Sequence, residues 1–230
     1  MNPPLKLTLL HTITQRLGAR YVEHMGQWRF PGGYTGVDEE VAAIRAGCGL
    51  ADVTPHGKLY IEGEAAREAL QAAFGLAPEL ALSGVHGPAG HLLRLRPDLF
   101  YLSTPPGREA EAQAQLDAAI SRLGAFVTVT DVTHALADLC LIGPASPLVL
   151  SQLCGLDFAE VTFPNLAVRQ SSVAKTRQLI RRRDVGPLLA YNLAGDQSLA
   201  AYLWEALTTA GREHGLRPVG VEALRTLEVD

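Results

Sequence analysis

Cysteine is scarce in this chain of 230 residues. There are three, Cys48, Cys140 and Cys154, an odd number at wide spacing. That excludes a disulfide framework, and with no Cys-x-x-Cys a common zinc-site spacing is missing too. Cys48 and Cys140 lie in apolar stretches and read as buried thiols, in keeping with a reducing cytoplasm. The histidines His11, His24, His56, His86, His91, His134 and His214 form no HExxH or HxxxH pair on a helical stretch, so a metal centre has little support. There is no Walker loop and no GxGxxG, which takes weight from nucleotide-phosphate chemistry. Ser146 stands in Gly143-Pro144-Ala145-Ser146-Pro147, which is not a GxSxG elbow; its prolines suit a loop entering a helix. No apolar run approaches the roughly 18–20 residues of a membrane span. The opening Met1-Asn2-Pro3-Pro4-Leu5-Lys6 lacks the charged-then-apolar plan of a signal peptide. A pI near 6.0 argues against nucleic acid as the main partner. What is present is ordinary globular composition: 47% apolar residues and a net charge of only −4 exclude intrinsic disorder.

Leu7, Leu10, Ile13, Thr14 and Leu17 recur at helical spacing over 6–17, before Gly18 as a stop. Gly26-Gln27-Trp28-Arg29-Phe30-Pro31-Gly32-Gly33-Tyr34 reads as a Gly-rich loop. Its Trp28, Phe30 and Tyr34 either line a flat-ring pocket or pin the loop to the core. A second helix is expected over 38–46, with acids in its first turn and Gly47 at its end.

The rest of the chain looks duplicated. LYIEGEAAREALQAAFGL (59–76) and LCLIGPASPLVLSQLCGL (139–156) align at an offset of 80 without gaps, each a strand, a glycine and a helix. Leu59/Leu139, Gly63/Gly143, Ala65/Ala145, Leu70/Leu150, Gly75/Gly155 and Leu76/Leu156 are identical. Two strands (91–95, 99–103) and a helix (108–123) follow the first copy. Two strands (173–181, 187–193) and a helix (197–214) follow the second. His86 and His91 flank Gly87-Pro88-Ala89-Gly90 and read as exposed turn histidines. Hairpins feeding helices favour an α+β fold over a doubly wound parallel sheet. The expectation is one pseudo-symmetric domain over 1–230, with halves at roughly 50–130 and 131–230 and N-terminal helices and loop at 1–49.

Arg169, Lys175, Arg177, Arg181, Arg182 and Arg183 occur with no acid until Asp184. Such a basic strand end either holds a carboxylate or phosphate or protects an edge strand against further pairing.

Several pieces resemble one family. Leu17-Gly18-Ala19-Arg20 with Gly26-Gln27-Trp28-Arg29-Phe30-Pro31 is similar to an LGA…GWxMP opening. Val37-Asp38-Glu39-Glu40-Val41-Ala42-Ala43-Ile44-Arg45 is similar to a helix ending in AVR, and Gly49-Leu50-Ala51-Asp52-Val53-Thr54-Pro55-His56-Gly57-Lys58 to a GLxDVSHxGK box. Trp204-Glu205-Ala206-Leu207, Gly211 and Leu216-Arg217-Pro218-Val219-Gly220 resemble an LWxxL…G…GLxPxG segment. These occur in the order found in the aminomethyltransferase family, the T-protein of the glycine cleavage system. The resemblance implies a tetrahydrofolate-binding domain of duplicated α+β type, in one-carbon metabolism. It also implies a carboxylate beside the folate amine, a second one reading the pterin, and an arginine for the acidic tail or the charge balance of the site.

The chain departs from the family at those places. Where a GGxxDD pattern is expected, Gly90-His91-Leu92-Leu93-Arg94 brings no carboxylate before Asp98. Asn192 replaces the pterin-binding Glu that ends a GEDGxE strand. In Gly220-Val221-Glu222-Ala223-Leu224-Arg225-Thr226-Leu227-Glu228, Leu224 and Glu228 stand where GxARDxLRLE has arginines, though a one-residue slip puts Arg225 on the first. The sequence stops at Asp230, before the family's C-terminal barrel-like domain. The resemblance thus implies a folate scaffold that keeps a pocket of Trp28, Tyr101, Arg183, Tyr191, Asn192 and Arg225, with no catalytic residue and transferase chemistry lost. The expected ligand is tetrahydrofolate or a folate-like molecule, with no nucleic acid and no membrane. Two alternatives stand beside it. One is an accessory subunit similar to the sarcosine oxidase gamma subunit; the other is an aminomethyltransferase completed by a partner chain that supplies the second domain.

Overall fold

The computed structural model describes residues 4–24 and 27–229. Met1 to Pro3 of the opening segment, and Gly26 of the expected loop, lie outside the described residues. Short strands β1 (Lys6–Leu7), β2 (Arg20–His24) and β3 (Trp28–Gly33) form a sheet in the order β1-β3-β2, with helix α1 (His11–Arg16) between the first two. The expected helix at 6–17 therefore begins five residues late, because Lys6 and Leu7 pair in parallel with Trp28 and Arg29. The expected Gly-rich loop is instead the central strand of this sheet. Strands on both sides satisfy its backbone, and Trp28 and Phe30 alternate inward, 3% and 2% exposed. Helix α2 (Val37–Ala46) follows, with Asp38, Glu39 and Glu40 in its first turn.

Two equivalent runs come next. The first is β5 (Gly57–Glu62), α3 (Ala66–Phe74), β6 (Ser83–Gly87), β7 (Gly90–Arg96), β8 (Leu99–Thr104) and α4 (Glu109–Leu123). The second is β10 (Leu136–Ile142), α5 (Ser146–Leu153), β11 (Val168–Val173), β12 (Thr176–Arg182), β13 (Ala190–Asp196) and α6 (Ala200–Gly211). Each pairs a strand and helix with a three-stranded meander and a closing helix. The two expected hairpins thus gain a strand each, β6 and β11, whose sequences SGVHG and VRQSSV carry too little apolar alternation to be read. Ser146 opens α5, with Pro147 in its first turn.

Each run is led by a strand that joins the sheet of the other. Strand β4 (Cys48–Asp52) leads into β5 but pairs with β10, and β9 (Thr128–Asp131) leads into β10 but pairs with β5. The registers are reciprocal: Asp52 faces Leu139, and Asp131 faces Leu59. The sheets run β6-β7-β8-β5-β9 and β11-β12-β13-β10-β4-β14, with β14 (Leu216–Pro218) followed by helix α7 (Val221–Val229).

Gly63 and Gly143, matched in the repeat, explain why a glycine is needed twice. Both have positive φ, 150° and 126°. A Cβ on Gly63 would lie 2.6 Å from the Phe126 carbonyl oxygen, and one on Gly143 2.5 Å from that of Ile44. Each glycine thus lets the other half's leading strand pass close by.

Helices α3 and α4 cover the outer face of one sheet through Ala66, Leu70, Ala112 and Leu116. Helices α5 and α6 cover the outer face of the other through Val149, Leu150, Leu203 and Leu207. The inner faces meet through Leu93, Leu95, Tyr101, Val168, Leu179 and Ala194. The result is an α+β sandwich of helices, sheet, sheet and helices. Among the described residues no helix is long and apolar enough to cross a membrane.

Candidate functional site between the two halves

Strand alternation decides what the two inner faces carry. On β10, Leu139 and Leu141 enter the helix-side core, so Asp138 and Cys140 point the other way. The same holds for Arg181 on β12 and Asn192 on β13, beside Ile180, Tyr191 and Leu193 in that core. Across the gap, Lys58 on β5, His91 on β7, and Tyr101 and Ser103 on β8 alternate with Leu59, Leu92, Phe100 and Leu102 of the first half's outer core.

Asp138 is the hub, wholly buried. It pairs with Arg181, whose side chain is 3% exposed, and accepts a hydrogen bond from Asn192 Nδ2 at 3.3 Å. The same guanidinium reaches Ser103 Oγ at 3.4 Å and so ties the two halves together. Three buried polar atoms around it have no hydrogen-bond partner: Arg181 Nη1, His91 Nε2 and Tyr101 Oη. Their environment follows from burial and charge. Burial, then the Arg181 and Arg183 charges, pushes the His91 pKa down to about 3, so its imidazole is neutral. Burial raises the Tyr101 hydroxyl well above its usual range. Burial lowers Lys58 to about 8, against the opposing pull of Asp138.

The turns entering this centre use one device twice. Thr54 N donates to Asp52 Oδ1 at 3.1 Å, and Thr133 N to Asp131 Oδ1 at 2.8 Å. The Thr54 hydroxyl then accepts from Asp138 N at 3.1 Å, and the Thr133 hydroxyl from Lys58 N at 2.9 Å. Asp52-Val53-Thr54 and Asp131-Val132-Thr133 are a second repeat, at an offset of 79, which the reading of the sequence missed. Lys58 Nζ donates to the Thr54 and His56 carbonyls at 2.7 and 2.8 Å, so the Asp and Lys of the 49–58 box act in fixing a crossover.

The six expected pocket residues are dispersed. Tyr101 and Asn192 face the polar centre, and Arg183 follows β12 at its rim, half-buried. Tyr191 lies on the opposite face of β13, edge-on to Phe158 and Phe163 at 5.6 and 5.8 Å; adjacent strand residues cannot both face one ligand. Trp28 is buried and stacks on His134 at 5.1 Å. Arg225 is exposed on α7. His91, expected to be an exposed turn residue, is 5% exposed, because Pro88 and Ala89 alone make the turn and the hairpin register sends its ring inward. Strand β12 is not an edge strand. Arg181 and Arg182 are both buried and each holds an aspartate, Asp138 and Asp184. Asp138, His91 and Ser103 were not foreseen; the available signal was a lone carboxylate inside the apolar run 135–142.

Two cavities lie on the outer faces. One of about 190 Å³ is bordered by Phe74, Pro88, Pro105 and Arg108. The other, of about 460 Å³, lies between Gln152, Leu153, Tyr202 and Glu205. Among the described residues no group of three or more His, Cys, Asp or Glu side chains is placed to hold a metal ion.

The pattern of the GCVT N-terminal domain matches residues 10–230. The chain belongs to this family. The aminomethyltransferase of Saccharopolyspora erythraea is 30% identical over 242 residues, covering all of this chain and 64% of that protein. The alpha subunit of sarcosine oxidase from Rhizobium meliloti is 28% identical over 254 residues, covering 99% of this chain and 25% of that subunit. This GCVT domain thus spans under two thirds of one relative and a quarter of the other. Among solved structures, the glycine cleavage system aminomethyltransferase T of Bartonella henselae superposes with a TM-score of 0.83 at 24% identity, over 98% of this chain and 62% of that one. A chain of heterotetrameric sarcosine oxidase from Corynebacterium sp. U-96 gives 0.65 at 24% identity, over 78% of this chain and 92% of that one. At that identity both are likenesses of fold.

Proposed function

We propose that this GCVT domain binds a tetrahydrofolate-like ligand between its two halves and carries out no aminomethyl transfer by itself. One observation carries the binding reading: Arg181 Nη1, His91 Nε2 and Tyr101 Oη are buried without partners around a polar centre that Asn192 borders. Buried polar groups without partners are uncommon and costly. A flat heterocycle rich in N–H and carbonyl groups would satisfy them. Asn192 donates to Asp138 through its amide nitrogen, which leaves its carbonyl oxygen to accept from a pterin ring. Neither of the two outer cavities takes part in this reading.

Loss of transfer chemistry is supported by the segment 90–94. Leu93 is wholly buried among the inner-face apolar residues, and Arg94 is held by the Glu79 and Pro97 carbonyls over the Phe100 ring. Neither supplies a carboxylate to position an amine.

A second reading, a subunit of a larger assembly, draws on one comparison. The fold makes up 92% of a chain in a heterotetrameric oxidase, so it serves there as nearly a whole subunit. Calorimetric titration with tetrahydrofolate and 5-formyltetrahydrofolate separates the two. The ligand reading expects a Kd near micromolar, about −8 kcal/mol, weakened at least tenfold by Asn192→Leu. No heat at millimolar ligand removes it and leaves the subunit reading.

A further inference from the structure

Arg183, expected to meet a ligand, already holds a carboxylate. Its Nη2 donates to Glu228 Oε1 at 2.5 Å. Glu228 lies in the last turn of α7. His86, on the first half's hairpin, lies close enough to feel both charges of this pair. Behind it stand His91 and Arg181. Two arginines of the second half, Arg181 and Arg183, thus stand at the polar centre and its rim beside two neutral histidines of the first half, and each arginine is answered by one carboxylate: Asp138 inside and Glu228 outside.

The two ion pairs differ in kind. Asp138 and Arg181 are buried within one sheet, and Arg181 also reaches Ser103 of the other sheet. The Arg183 and Glu228 side chains are 33% and 45% exposed, and exposed pairs of this sort contribute little and are easily exchanged. The rest of α7 is anchored independently: Val221, Ala223 and Leu227 pack with Trp28 and Phe30, and Gly220 N donates to Glu40 Oε2 at 2.7 Å. Leu227 anchors the last turn itself, so only the exposed Glu228 side chain has to swing away for Arg183 to be released.

We propose that Glu228 is a built-in occupant of an anion subsite: its carboxylate covers Arg183 at the rim of the polar centre, and a ligand's acidic group takes that place. The inference rests on the ligand reading above. It adds that the domain restrains its own binding.

The test compares the whole chain with Glu228→Gln, an exposed, isosteric change that removes the charge. Calorimetric titration with 5-formyltetrahydrofolate, which carries an acidic tail, is expected to show about three- to fivefold tighter binding to the variant. 6-Methylpterin, which has no acid, should bind both proteins within about twofold, as expected if only a charge contact changes. An independent arm needs no ligand: phenylglyoxal, mapped by mass spectrometry, should modify Arg183 several-fold faster in the variant. Equal Arg183 reactivity overturns the latch whatever binds. Equal 5-formyltetrahydrofolate affinity in the two proteins overturns it while leaving the ligand reading intact. Faster Arg183 modification with no binding to either protein overturns the ligand reading, and with it the displacement of Glu228 by a ligand.

Discussion

Replacing Asp138 with asparagine removes one charge from the middle of the molecule and leaves its shape almost unchanged. Arg181 then has no counter-ion while its side chain is 3% exposed, and it is left with neutral acceptors only, the asparagine amide oxygen and the Ser103 hydroxyl at 3.4 Å. Lys58, a second buried cation, loses the same negative charge. Removing one partner of a buried pair costs about 3–5 kcal/mol, chiefly because the other charge is left stranded. With a urea slope of about 2–3 kcal/mol/M, the unfolding midpoint should fall by about 1–2.5 M. Equilibrium urea unfolding, followed by fluorescence of the buried Trp28 and Trp204, reads this directly. Asp138→Leu combined with Arg181→Met removes both charges and should recover most of the loss, since an apolar pair of similar volume is often neutral or better. A midpoint change below about 0.3 M for the single variant, or a double variant no better than the single, would refute the claim that this pair is buried and interdependent.

Two further predictions concern symmetry and pH. Gly63→Ala and Gly143→Ala each force a Cβ against a carbonyl oxygen at a positive φ. Each should lower stability by at least about 2 kcal/mol, read as a Tm drop of roughly 4–8 °C; a neutral result at either site would contradict the close crossing. His91 is held neutral in the folded protein, its pKa pushed down to about 3 from 6.5 by burial and the neighbouring arginines. Below pH 6.5 the unfolded chain takes a proton that the folded chain refuses, so stability falls as pH drops from about 6.5 toward 3 and is unaffected above. The loss from this group at pH 5 is about 2 kcal/mol. His91→Gln should shrink the stability difference between pH 7 and pH 5 by about that amount in paired denaturant titrations, and an undiminished difference would place His91 in solvent.

What could be read beforehand tracks how local each signal is. Helices α2 and α4 follow from acids in the first turn, α6 from apolar spacing, and α3 and α5 from the Gly-led repeat. Gly63 and Gly143 were legible as a matched pair because the need for a positive φ is written in a single residue type. The exchange of β4 and β9 between sheets was not legible, since strand partners far apart in sequence leave no local mark. The central strand β3 was missed for the same reason: its glycines and proline argue for a loop until β1 and β2 supply neighbours. The polar centre was half visible. Asn192 and Tyr101 lie in it, yet Asp138 was passed over inside an apolar run, and the arginines of 181–183 gave their count but not their partners. Period-two alternation along β13 would have separated Tyr191 from Asn192 without any structure.

The polar centre between the halves is the proposed seat of a folate-like ligand. A crystal structure of the protein grown with saturating 5-formyltetrahydrofolate tests it most directly. The ring is expected between the two sheets, its polar edge on Asn192 and within hydrogen-bond reach of His91 Nε2 or Tyr101 Oη, and its acidic tail on Arg183 with Glu228 displaced. Ligand bound in either outer cavity, or a gap between the sheets left unchanged at saturation, would contradict it.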